Sequence, residues 1–175
     1  MRSNESPLTK CPVCGNKGSK VRRITLDALL TPGAAARIGD TQYRFCDNPQ
    51  CRIVYFDEAD STFSRADLTV RVGVKEQSSP RPVCYCFDHT IEEIEAEVRE
   101  TGRSSVLDDI KTRIKTACWC ETKNPQGSCC LGAVGRYVKR ALAEHASHCG
   151  SDTIQEKPHE CCAHDAVSTC EMGHR

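Results

Sequence analysis

Short apolar runs alternate with polar turns over the first eighty residues, and amphipathic stretches of helical spacing follow them. Residues 43–45 and 53–56 carry aromatic and β-branched side chains suited to a small sheet, as do residues 21–24 and 68–74. Between these, residues 25–30 and 32–38 allow two short helical segments. Further on, Thr90 and Glu93 form a capping-box pattern, and Ile91, Ile94 and Val98 fall on one helical face behind it. Gly102 can stop that helix. Ser105 with Asp108 opens another, striped by Leu107, Ile110 and Ile114. The short connection predicts a hairpin of the two helices. A third helix is predicted from Cys129 or Cys130 to about Ala146, packing through Leu131, Val134, Val138 and Leu142. The strong turn Asn124-Pro125-Gln126-Gly127 precedes it.

This pattern predicts an α+β chain in pieces. A small β-rich subdomain spans residues 8–76 and a helical subdomain spans 83–146. The polar, proline-bearing stretch KEQSSPRP at 75–82 separates them, with the linker itself at 77–82. Residues 147–175 have no apolar periodicity and read as a flexible tail.

Composition adds the chemistry. Fourteen of the 175 residues are cysteine, and only one is tryptophan. The opening MRSNESPLTK lacks the apolar core of a signal peptide, and no run reaches the length of a membrane span. The expected setting is therefore cytoplasmic and reducing, without membrane insertion, where dense cysteine points to metal rather than disulfides. Twenty-four basic residues balance 24 acidic ones. No concentrated basic patch marks a nucleic-acid partner. Nor is there a nucleotide loop, an HExxH motif or a nucleophile–base arrangement, so a metal chaperone or electron carrier fits better than a conventional enzyme.

The cysteines fall into groups. Cys11-Pro12-Val13-Cys14-Gly15 and Cys46-Asp47-Asn48-Pro49-Gln50-Cys51 are two knuckles that can converge to place four thiolates around zinc. A site with four cysteine ligands is closed, which makes this zinc structural. A second group begins at Cys84-Tyr85-Cys86 and continues through Cys118, Cys120, Cys129 and Cys130. The helix hairpin can bring Cys86 and Cys118 to the same end. The N-terminus of the third helix offers unpaired amides and positive dipole character, which favours an anionic iron–sulfur cluster there, although spacing alone leaves the metal open.

Together CPVCG, FCDNPQC, VCYCF and CWCETKNPQGSCCLG resemble the N-terminal metal-binding domain of archaeal CopZ-type copper chaperones, over residues 8–146. Cys84, Cys86 and Cys118 also partly resemble the [2Fe-2S] module of bacterioferritin-associated ferredoxin. The resemblance implies a zinc-stabilised first half, with zinc on Cys11, Cys14, Cys46 and Cys51, followed by a helical [2Fe-2S] subdomain. It implies a cluster on Cys84, Cys86, Cys118 and a cysteine after the Asn-Pro turn. Cys129 is the first choice, Cys130 the close competitor and Cys120 the third. The ferredoxin pattern would put its last ligand where Glu121 stands here, so that ligand does not carry over. Trp119 reads either as a shield for the cluster or as packing, and Tyr85 and Phe87 read as packing beside it. Arg136, Lys139 and Arg140 read as solvated helix residues.

The tail departs from the full-length chaperone, which continues into a copper-binding domain. Here His148, Cys149, His159, Cys161, Cys162, His164, Cys170 and His174 are soft-metal ligands at irregular spacing, suited to transient capture of Cu(I), Zn(II) or Hg(II). The expected function is CopZ-like metal handling with a structural zinc and a one-electron [2Fe-2S] centre. By resemblance it supports copper trafficking or Cu(II) reduction, with a copper-transporting ATPase or a redox protein as partner. The alternatives are a ferredoxin-like electron-transfer partner, a soft-metal (mercury) binding protein and a non-redox zinc adaptor.

Overall fold

The computed structural model describes residues 9–149. Four short antiparallel strands form the sheet of the first half in the order β1-β2-β3-β4: β1 (Ser19–Lys20), β2 (Arg44–Phe45), β3 (Ile53–Phe56) and β4 (Thr62–Ser64). Between β1 and β2 the chain forms α1 (Arg23–Leu29) and α2 (Pro32–Ala35). Thr25, Leu26 and Leu29 give α1 its buried face. Pro32, pre-set for a first helical turn, and the Thr31 hydroxyl, which accepts from the Ala34 amide at 3.4 Å, start α2. All four residues of β3 are buried. A register shift between Ile53 and Tyr55 breaks simple alternation. Val54 and Tyr55 join the main core with Leu26, Phe45 and Phe63, while Ile53 and Phe56 pack with Cys11, Cys46 and Cys51.

Two expected strands are corrected. Residues 21–24 do not form one: Arg23 and Ile24 belong to α1, because the buried spacing of Thr25, Leu26 and Leu29 outweighs the β-branched pair before them. Residues 68–74 pair with the rest of the fold only through a bridge from Leu68 to Leu30, then turn into a 3-10 helix at Gly73–Lys75. The turn brings Gly73 against the following segment so closely that a Cβ there would sit 1.7 Å from the Pro82 carbonyl oxygen. Only glycine fits.

The second half opens with a two-stranded ribbon, β5 (Pro82–Cys84) and β6 (His89–Thr90), and continues as helices α3 (Ile91–Thr101), α4 (Val106–Arg113), α5 (Cys120–Lys123) and α6 (Leu131–Cys149). The Thr90–Glu93 capping box forms as expected, and Gly102 ends α3 in the left-handed region at φ 69°. Ser105 precedes α4 without capping it through its side chain. Its amide instead donates to the Glu97 carboxylate at 2.9 Å. The α3–α4 pair is less of a hairpin than the loop length implied: both helices pack chiefly on α6. Ile91, Ile94, Val98, Val106, Ile110 and Val134 fill the core between them, joined by Cys84, Cys86, Cys120 and Cys130.

Arg81 ties the ribbon to α3. Its guanidinium reaches Glu92 at 2.6 Å and Glu95 at 2.9 Å. Burial opposes the charge on Glu92, yet bonds from Arg81 outweigh it and hold the carboxyl down at about 2.

The halves are joined by specific contacts. The buried Tyr55 hydroxyl donates to the Pro125 carbonyl at 2.8 Å. Tyr85, expected to pack beside a metal centre, instead reaches back: its hydroxyl accepts from the Gly73 amide at 2.8 Å and donates to the Arg71 carbonyl at 3.1 Å. Helix α5 packs on α1, and Arg22 pairs with Glu121 across the same junction. Gly127, at φ 62°, lies over Thr25 too closely for a side chain. Among the described residues, no helix is long and apolar enough to cross a membrane.

Candidate metal centres

The first centre is built by two turns held against each other. At the first knuckle the Gly15 amide donates to the Cys11 carbonyl at 2.9 Å, with Gly15 itself at φ 73°. At the second, the Asn48 side chain accepts from the Gln50 amide at 3.0 Å, and the Cys51 amide donates to the Asn48 carbonyl at 3.1 Å. Strand β2 delivers Cys46 to the site at its end, because the Cys46 amide bonds the Val54 carbonyl of β3 at 2.9 Å. The Sγ atoms of Cys11, Cys14, Cys46 and Cys51 all lie within 4.8 Å of one another. Cys11 and Cys51 are 3.8 Å apart and Cys14 and Cys46 are 3.6 Å apart. Tetrahedral zinc with Zn–S near 2.3 Å needs sulfurs about 3.8 Å apart. The donor set fits zinc in number, chemistry and spacing. Cys14 is half-buried and the other three are buried, so the centre is closed.

The four thiols differ electrostatically. Burial works against the Cys14 thiolate, but hydrogen bonds from the Asn16 backbone and the Asn48 side chain, with contacts to Cys46 and Cys11, bring it down to about 7. Burial pushes Cys46 and Cys51 up. The four thiolates of Cys11, Cys14, Cys46 and Cys51 would hold a divalent cation, whose charge would offset the cost of burying them deprotonated. Lys75 supplies the balancing charge from outside. Only 2% exposed, it donates from Nζ to the Asn48 carbonyl at 2.8 Å and the Cys51 carbonyl at 3.1 Å. Sequence reasoning placed Lys75 in a polar linker and missed this role. The only local signal was a lysine beside β-branched residues.

The second centre gathers around α5 and the start of α6. Cys84 lies in β5 and Cys86 in the turn beyond it. The Sγ atoms of Cys86, Cys118 and Cys120 lie within 4.8 Å of one another. Cys86 is 3.5 Å and Cys118 3.2 Å from Cys120. The Trp119 amide donates to the Cys86 sulfur at 3.3 Å. Cys130, immediately before α6, shares a hydrogen bond with Cys84. That bond, aided by backbone amides of Cys86 and Phe87, lowers Cys84 to about 6 although burial opposes it, and it raises Cys130 together with burial. Burial likewise raises Cys86 and Cys120.

The structure therefore brings together Cys86 and Cys118, as the helix spacing implied, and sets Cys120 with them. Cys130 stands against Cys84, and both are buried. Cys129 is exposed, as is Cys118. Trp119 is 49% exposed and meets Phe87 edge-on, with ring centroids 6.5 Å apart. Both ring nitrogens of His89 are engaged by carboxylates: its Nδ1 and Nε2 lie 2.9 Å from oxygens of Glu93 and Asp109. Arg140 is within 3.8 Å of Glu95. Of the expected soft-metal ligands, His148 is exposed on α6, its Nδ1 2.9 Å from the Glu144 carbonyl oxygen. Cys149 is the last residue of α6. His159, Cys161, Cys162, His164, Cys170 and His174 lie outside the described residues.

Known proteins resemble this chain in sequence and fold. A family model of CopZ type, described as a zinc binding domain, matches residues 8–69. The chain is 33% identical over 123 residues to the copper chaperone CopZ of Archaeoglobus fulgidus, an alignment covering 70% of this chain and 58% of that protein. It thus spans less than two thirds of that relative's length. The X-ray structure of the Archaeoglobus fulgidus CopZ N-terminal domain superposes with a TM-score of 0.64 at 32% identity, covering 73% of this chain and 95% of that one. At that identity, and with nearly the whole of the solved domain covered, this chain belongs to the family of the CopZ N-terminal domain.

Proposed function

We propose that this protein handles copper, with a structural zinc on Cys11, Cys14, Cys46 and Cys51 and a [2Fe-2S] cluster in the helical half. The single observation that carries the reading is the second set of thiols at the junction of the ribbon, α5 and α6, with Cys84, Cys86, Cys120 and Cys130 buried, in a fold whose first half already has a complete four-cysteine set. A protein needing only a folded scaffold gains nothing from it.

Cys84, Cys86, Cys118 and Cys130 are the cluster ligands in this reading. Cys84 with Cys130 and Cys86 with Cys118 make two sulfur pairs, the number that a two-iron centre requires. Cys130 is preferred to Cys129 because it is buried and in contact with Cys84, whereas Cys129 is exposed. The first turn of α6, directly after Cys130, favours the negative charge of a thiolate-bound centre. The Trp119 amide bonds the Cys86 sulfur, which tunes the electron density on that ligand. When bound, the cluster supplies a reversible one-electron oxidation–reduction. Together with the name of the relative, a copper chaperone, this favours copper trafficking accompanied by reduction of Cu(II) to Cu(I), the form that soft sulfur ligands hold best. A copper-transporting ATPase or a redox protein would then receive the ion or supply the electron.

Anaerobic metal analysis with visible and EPR spectroscopy tests the assignment. One zinc and two irons per chain, with visible absorption that bleaches on uptake of one electron, is the expected result. Two zincs and no iron after anaerobic reconstitution would overturn it in favour of a zinc adaptor.

A further inference from the structure

Cys84, Cys86, Cys120 and Cys130 are buried in the core of the helical half, and the second centre meets solvent at Cys118 and Cys129. On that side stands Trp119, the single tryptophan of the chain, 49% exposed between Cys118 and Cys120. Its amide donates to the Cys86 sulfur at 3.3 Å, so its backbone touches the centre while its ring faces outward. Phe87, which follows Cys86, meets that ring edge-on at 6.5 Å between centroids. Each ring carries a cation. The Arg113 guanidinium carbon lies 4.3 Å from the Phe87 centroid and the Lys123 ammonium 5.4 Å from that of Trp119. The four side chains form one strip, cation–aromatic–aromatic–cation. Arg113 is paired with Asp109 at 3.1 Å, and Glu121 is paired with Arg22. Among the described residues, neither Lys123 nor the exposed Lys115 has a carboxylate partner. The charge left over along the strip is positive, in a chain whose formal total is zero.

We propose that this strip is the docking face for the acidic surface of a one-electron donor protein. The proposal rests on the reading of the helical half as a one-electron centre and adds the chemistry of the partner and the place where it sits. Exposed tryptophan and arginine are the side chains in which interface energy concentrates, and here both stand in one strip. Lys123 and Lys115, free of carboxylates on their own chain, attract those of a partner and set its orientation. A donor seated on Trp119 lies against a residue flanked by Cys118 and Cys120 and bonded to the Cys86 sulfur, so the electron has a short path inward. The step moves one electron and nothing else. The donor's carrier is oxidised by one electron, one ferric ion of a two-iron centre is reduced to ferrous, and no bond or proton changes hands.

The test runs the electron outward, to two strongly oxidising coloured proteins of opposite charge: plastocyanin, with an acidic face, and cytochrome c, with a basic one. Chemically reduced full-length holoprotein is mixed with each in a stopped-flow instrument at low and at high salt. The expected result is faster oxidation by plastocyanin at low salt, with the advantage shrinking as salt screens the charges. Lys123→Glu should slow the plastocyanin reaction about 10-fold and speed that of cytochrome c. Lys139→Glu makes the same charge change at an exposed position about 12 Å along α6 from Leu131, and should alter either rate by less than about 2-fold. A second readout needs no electron transfer: iodide should quench the fluorescence of Trp119 more strongly than caesium, and Lys123→Glu should reverse that order. Cytochrome c reacting faster than plastocyanin with wild type, stronger quenching by caesium, or equal effects of Lys139→Glu and Lys123→Glu each overturn the docking face while leaving the cluster reading intact. Wild-type protein that contains no iron defeats both readings, and metal analysis shows this before an acceptor is added.

Discussion

The two cysteine-rich regions of this chain arrange the same donor atom in opposite ways. In the first half four sulfurs stand at nearly equal separations, 3.6 and 3.8 Å across the two measured pairs, and two tight turns hold them. Nothing is left over. In the second half six cysteines share one neighbourhood with unequal burial: Cys84, Cys86, Cys120 and Cys130 are buried, while Cys118 and Cys129 face solvent. A site that only stabilises a fold gains from closure and exact ligand number. A centre with Cys118 and Cys129 at the surface is open where the first is closed.

Substituting one cysteine in each region should break this comparison most strongly. Structural zinc contributes about 10–16 kcal/mol of apparent binding free energy in small zinc-dependent peptides, more than the whole stability of most domains. Cys46→Ser should therefore lose its zinc and unfold the sheet of the first half, seen as lost strand signal in circular dichroism and no cooperative thermal transition. Cys84→Ser should instead lose iron while retaining zinc and the sheet, because the helical half keeps its aliphatic core of Ile94, Val98, Ile110 and Val134. If Cys84→Ser loses zinc as readily as Cys46→Ser does, the centres are not separable and the contrast fails.

Lys75 sharpens the comparison from outside the ligands. Its ammonium sits beneath the second zinc knuckle and satisfies two carbonyls there. Lys75→Met keeps most of the length and volume but removes both bonds and the charge. Leaving such buried acceptors unpaired costs roughly 1–3 kcal/mol, and loss of an outer-shell partner typically weakens metal affinity by about 10–100-fold. Zinc release to a competing chelator should accelerate, while iron content stays constant. Unchanged zinc affinity would reduce Lys75 to a packing residue.

What could be read from the sequence follows from how local each feature is. The CxxC knuckle, its Cx4C partner and the Thr90–Glu93 capping box are complete within a few residues, and all appear in the structure. The choice among Cys118, Cys120, Cys129 and Cys130 is different. Adjacent or alternate residues at a helix start point in directions set by the phase of that helix, and α5 is a single turn whose limits depend on its packing against α1. Lys75 was illegible for a related reason. Its segment is polar in sequence, and only the 3-10 turn at Gly73–Lys75, pressed against Pro82, brings the ammonium under the zinc turn. The β-branched residues at 68–74 predicted a strand, but the close approach at Gly73 and the bond from its amide to Tyr85 direct the chain into the second half.

The smallest of these effects asks whether two unlike centres share one folding unit. Tyr55 belongs to the sheet of the first half, and its hydroxyl is buried against the Pro125 carbonyl in the turn that leads to Cys129 and Cys130. Tyr55→Phe leaves the aromatic packing with Phe45 in place but leaves that carbonyl without its donor. The expected cost is on the order of 1 kcal/mol. If the halves fold as one unit, thermal loss of the sheet and thermal bleaching of visible absorption should shift down together by the same few degrees. If the halves are independent, only one of the two transitions moves, and the hydroxyl is then a local bond within a loose junction. A common shift would mean that the closed zinc site stabilises the turn carrying Cys129 and Cys130, so that the rigid region positions the reactive one.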